Sequence, residues 1–151
     1  MTKLNAISTA LVLSGNAGEG PQGVASSSEM LAKLAQEMQF SVDLCTQEAI
    51  KEAKKLSKQF DSERAGKYKG WPIKIVVDVG AQTRVRWCSF YSGERHYLKV
   101  SALTHATCLT RKSSMPKELK ELQVNYETKL IALRIKLANL GALKKMLLAF
   151  V

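Results

Sequence analysis

The sequence is poor in the features that announce chemistry. Its three cysteines, Cys45, Cys88 and Cys108, are odd in number and form no CxxC pair, which excludes a disulfide framework and predicts a reducing, cytoplasmic setting. Three prolines and nine glycines in 151 residues are too few for a collagen-like or linker-rich chain. No apolar run reaches the roughly 20 residues that span a bilayer. The opening stretch is broken by Asn5, Ser8 and Thr9 and shows no small-x-small cleavage pattern, so no secretory leader is predicted. HExxH, P-loop and GxSxG motifs are absent. Gly18, Gly20 and Gly23 imitate a dinucleotide loop without the strand before it or the acidic residue after it. His105 and Cys108 make one close pair where a structural zinc site shows two, and with Cys88 and His96 they lack the orienting motif of a Cys–His nucleophile. The reading is a non-enzymatic protein with no cofactor and no metal.

Negative charge is also scarce. The chain has 23 Lys and Arg against 13 Asp and Glu, a net +10, and so large a surplus on so small a body makes a field that attracts polyanions. Length and composition fit one globular domain.

Pattern divides the chain into an arm and that domain. Residues 1–28 hold a short apolar stretch at 7–13, read as a strand or packing segment, and a Gly-rich loop. Residues 29–151 form the domain. From 29 to 64, Leu31, Leu34, Met38, Val42, Cys45, Ala49, Ala53, Leu56 and Phe60 recur at steps of three and four, which predicts one long helix. Ser26 and Glu29 suit a capping box at its start, with Gly66 and Gly70 at its exit. Residues 72–100 alternate and predict strands at 72–79, 84–91 and 95–100, joined by short turns into an antiparallel meander. A connection at 101–113 leads to a second helix over 114–149, opened by Pro116 in its first turn. Its stripe of Leu119, Leu122, Tyr126, Leu130, Leu133, Leu137 and Leu140 is widened by Ile131, Ile135, Leu143, Met146, Leu147 and Leu148, so it needs cover from more than one side; Gly141 marks a kink or the end of its regular part. The predicted fold is α+β: a three-stranded antiparallel β-meander covered on one face by two long α-helices. Two such helices also allow a homodimer.

The charge is concentrated in residues 66–112, where nine basic groups face two acidic ones, +7 of the total +10, while the first helix is net −1. In the meander Ile73, Ile75, Val77, Val79, Val85, Trp87, Tyr91, His96, Leu98 and Val100 take the alternating positions of the inner face. Trp87 is expected to be buried; the place of Trp71 is open. The outer face then gathers Lys74, Arg84, Arg86, Arg95 and Lys99 with Phe90 and Tyr97 among them. Lys and Arg are ordinary occupants of a solvated sheet face, but five cations to one carboxylate, Asp78, exceed what solubility needs. Cations neutralise phosphates and rings stack on bases, so Lys74, Arg84, Arg86, Arg95, Tyr97 and Lys99 are the candidate nucleic-acid-binding residues. Lys67, Lys69, Arg111 and Lys112 are secondary candidates, followed by Lys144 and Lys145.

The order helix, basic meander, terminal helix, with Arg86-Trp87 and Tyr91-Ser92-Gly93 in the hairpin and Tyr126-Glu127 followed by Ile131-Ala132-Leu133-Arg134 in the last helix, resembles the accessory DNA-binding proteins of conjugative transfer. The resemblance covers residues 65–148. It implies DNA, more than RNA, as one partner and a protein, a relaxase at a transfer origin, as another. The competing reading is a small mobile-element inhibitor that binds a host protein or nucleoprotein complex through protein surfaces.

Overall fold

The computed structural model describes residues 22–68, 71–91, 94–97 and 115–151. Helix α1 (Gln22–Lys67) leads into strands β1 (Ile73–Asp78), β2 (Arg84–Tyr91) and β3 (Glu94–Tyr97), and helix α2 (Lys117–Leu147) is continued by a 3-10 turn, Leu148–Phe150. The strands form one antiparallel sheet in the order β1-β2-β3. The architecture is α+β, with two helices and a three-stranded meander, as the hydrophobic periods predict.

The element boundaries depart from expectation at three points. Helix α1 opens at Gln22, seven positions before Glu29, so Ser26 lies inside it and does not cap it. Helix α2 runs through Gly141 without ending. A glycine in an exposed helical turn costs only about 1 kcal/mol, which the flanking residues outweigh. Strand β1 stops at Asp78, leaving Val79 58% exposed and not in the core. The expected 7–13 segment, 98–100 and the connection 101–113 lie outside the described residues.

One aromatic side chain fastens the three layers. Phe60 of α1 is fully buried and meets the ring of Trp87 on β2 edge-on at 4.9 Å and that of Tyr126 on α2 at 5.3 Å, the edge-to-face geometry that ring quadrupoles favour. Around it pack Leu56, Ile73, Ile75, Val85, Leu119, Leu130 and Leu133. Trp71 and Val77 are half-buried against the same cluster. Polar anchors hold the layers in register. The Ser57 hydroxyl donates to the Ile75 carbonyl at 2.7 Å, and Arg64 donates to the Trp71 carbonyl at 2.6 Å, which places Trp71 against the end of α1. The Tyr126 hydroxyl donates to Glu63 at 2.5 Å. Burial and the Glu63 carboxylate push the Tyr126 phenol up to about 12.

Glu127 is a buried charged group, 1% exposed. It accepts hydrogen bonds from the indole N–H of Trp87 and from both terminal nitrogens of Arg134. Arg134 Nε donates to the Val85 carbonyl at 2.7 Å. A buried carboxylate is tolerated only when paired and hydrogen-bonded in this way. Gln123, one turn earlier and 1% exposed, has no partner for either side-chain polar atom among the described residues.

The sheet covers only one half of the helix pair. The contact continues beyond it as a thin seam of Ala35, Val42 and Leu147, flanked by Met38, Leu140 and Leu143. At 1.5 Å per residue α1 is about 69 Å long and α2 about 46 Å, so α1 outruns its neighbour. Leu31 and Leu34, expected in the buried stripe, are 41% and 42% exposed. Ile135, Met146 and Leu148 are likewise exposed, so the second layer of cover that so apolar a helix needs is missing among the described residues.

Candidate functional site

Strand register decides which side chains share a face. Ile75 stands opposite Trp87 and Val77 opposite Val85, all inward; Lys74 stands opposite Cys88, Val76 opposite Arg86 and Asp78 opposite Arg84 in the outward rows. On the other edge of β2, Tyr97 pairs with Cys88 and Arg95 with Phe90. Lys74, Arg84, Arg86, Phe90, Arg95 and Tyr97 therefore occupy one face, as alternation predicts. Lys99, Lys69, Arg111 and Lys112 lie outside the described residues. Lys67 is exposed in the last turn of α1, roughly 30 Å along the helix from Thr46 at 1.5 Å per residue, and joins no described site.

The face has two ends. At one, Lys74 and Arg95 lie over the Phe90 ring at 5.6 and 5.8 Å. At the other, Arg86 stacks on the Tyr97 ring at 3.8 Å and donates to Asp78 at 2.5 Å. Its guanidinium is thus engaged by a ring and a carboxylate, with the Nε buried and without a partner among the described residues. Cys88 sits in the outward row between Lys74 and Tyr97 yet is fully buried.

The Arg84 end opens into a groove of about 700 Å3. One wall is the β1–β2 turn with Arg84 and Arg86. The other is the second half of α2, where Ala138, Gly141 and Ala142 keep the wall low and Lys144 and Lys145 stand at its rim. Arg134 and Tyr97 also line it, as do Asp43 and Thr46 of α1. Three of its five cations are neutralised within the chain: Arg86 by Asp78, Arg134 by Glu127 and Lys144 by Asp43 at 2.6 Å. Arg84 and Lys145, on opposite walls, have no carboxylate partner among the described residues and are exposed.

Sequence reading brought Arg84, Arg86 and Tyr97 together but treated Lys144 and Lys145 as a separate, secondary set. Their meeting with Arg84 depends on the antiparallel return of α2 along α1, a contact about 60 residues long in sequence that no local pattern encodes. Arg134 was visible only as part of a resemblance. Its spacing of seven from Glu127 puts both on one helix face, a signal that could have marked the buried pair. Among the described residues no three His, Cys, Asp or Glu side chains converge as a metal site would require, and no helix is long and apolar enough to cross a membrane. Compared with protein-family models, with curated proteins and with solved structures, the chain matches none.

Proposed function

We propose that the protein is a non-enzymatic nucleic-acid-binding accessory factor that holds phosphates along the band running from Lys74 and Arg95 to the groove between Arg84 and Lys145. The observation that carries this reading is the strand register, which gathers cations and two aromatic rings on one face, next to a groove whose far wall is α2 with Lys144 and Lys145. Phosphate neutralisation supplies affinity, and the exposed part of the Tyr97 ring at the groove supplies a stacking surface. Because Arg86 is already engaged by Asp78 and Tyr97, Arg84 and Lys145 carry more of the phosphate contact. DNA is the favoured partner, and a protein partner follows from the resemblance to conjugative accessory proteins.

Fluorescence anisotropy with labelled duplex DNA, single-stranded DNA and RNA at low salt tests the proposal. Wild type is expected to bind DNA, an Arg84→Ala/Lys145→Ala variant to bind several-fold more weakly, and Arg86→Ala to lose less. A wild-type chain that shifts none of the three ligands overturns the proposal in favour of an inhibitor acting through protein surfaces.

A further inference from the structure

The part of the helix pair that the sheet leaves uncovered carries most of the exposed large apolar side chains. Met30, Leu34 and Leu44 of α1 are 60%, 42% and 46% exposed, and Ile135, Met146 and Phe150 of α2 and its 3-10 turn are 52%, 65% and 61% exposed. Helical periodicity separates these positions from the ones that touch strands. On α1, Ser57 and Arg64 reach the sheet and its approach; Met30, Leu34 and Leu44 project from the opposite side of the same helix. On α2, Glu127 and Arg134 reach β2, and Ile135 and Met146 point away from it. At about 200 Å2 per large side chain the six present roughly 600–700 Å2 of apolar surface. The largest patch on a typical monomer is about 300–600 Å2, whereas a stable interface takes about 800 Å2 from each partner.

Charge selects the occupant. Asp43 and Lys144 are paired with each other and Arg134 with Glu127, so none of the three is free for a partner. What remains on α1 between residues 22 and 48 is Glu29, Glu37 and Glu48 against Lys33, three minus one, net −2, and on α2 between residues 132 and 151 Lys136 and Lys145 with no carboxylate, net +2. A twofold axis that lays α1 of one copy along α2 of the other sets unlike charges together twice, while any arrangement of α1 on α1 sets like charges together. A patch that is apolar and carries both signs on neighbouring helices is self-complementary, as an isologous interface must be.

We infer that the side of the helix pair turned away from the sheet is a homodimer interface, in which two copies complete a four-helix arrangement and leave both basic faces turned outward. The dimer is independent of nucleic acid. Sedimentation equilibrium of the full chain, freed of nucleic acid by nuclease and high salt, is expected to show a dimer that dissociates on dilution within the micromolar range open to interfaces of this size. The variant Leu34→Asp/Met146→Asp, both of whose sites are exposed, is expected to be a monomer with unchanged circular dichroism. Glu37→Lys and Lys136→Glu are each expected to weaken the dimer, and mixing the two variants to restore it in part. A wild-type chain that stays monomeric at about 100 µM overturns the inference and leaves residues 1–21 or another protein to cover the patch. A dimer that survives Leu34→Asp/Met146→Asp overturns it equally, since the contact would then lie elsewhere.

Discussion

The sheet-covered and uncovered halves of the helix pair are built from the same two helices and hold together in different ways. In the covered half three layers converge on Phe60, and directional contacts reinforce the packing: rings edge-on, a hydroxyl on a strand carbonyl, a buried carboxylate shared by an indole and a guanidinium. In the uncovered half two helices meet along Ala35, Val42 and Leu147, and the ion pair between them, Asp43 with Lys144, has both side chains about half exposed. A two-layer contact with three buried residues at its centre buries less apolar surface than the three-layer core. The comparison teaches that fold stability resides in the first half and that the second has surface to spare for a partner.

The sharpest break between the halves concerns their ion pairs. Glu127→Ala is expected to cost about 3–5 kcal/mol, because it strands the Trp87 N–H and leaves Arg134 uncompensated. Asp43→Ala is expected to cost under about 1 kcal/mol, since exposed pairs contribute little. Denaturant titration of both variants measures the gap, and equal losses would erase the distinction. Next comes a matched pair of truncations. Leu130→Ala, fully buried beneath the sheet, should lose about 3–5 kcal/mol, while Leu147→Ala, 6% exposed in the thin seam, should lose about 2. Similar values would show the uncovered half to be as well packed as the other.

The smallest effect is a pH dependence. Tyr126 has its phenol raised from 10.0 to about 12 by burial and by Glu63. A raised folded value means that its stabilising contribution is complete below about pH 10 and is lost as pH rises through about 12. Tyr126→Phe should therefore be about 1 kcal/mol less stable than wild type at neutral pH, with the gap closing between pH 10 and 12. A gap that stays constant to the top of that range would contradict the pairing with Glu63.

Much of this was legible in the sequence because it is local. Alternation in the three strands puts Ile73, Ile75, Val85 and Trp87 on one face and Lys74, Arg84, Arg86 and Arg95 on the other, and period-2 geometry allows no third outcome. The helical stripes from Val42 to Phe60 and from Leu119 to Leu137 likewise gave the buried residues. Legibility failed where the answer depends on the length of an opposing element. Leu31, Leu34, Ile135 and Met146 fit a core pattern and are exposed, because nothing in their own spacing records how far the sheet or the neighbouring helix extends. It also failed at the groove, where Lys144 and Lys145 reach Arg84 only through the tertiary return of α2, and at Arg86, whose charge is spoken for by Asp78 across the strand pair.

The central claim is that the basic face meets phosphates, and the slope of log affinity against log salt tests it most directly. With duplex DNA, wild type should give a slope steeper than that of Arg84→Ala/Lys145→Ala by about 2, one unit for each phosphate contact removed, while Arg86→Ala should shift it by less than one. Identical slopes for wild type and the double variant, or no binding at the lowest salt, would contradict the claim.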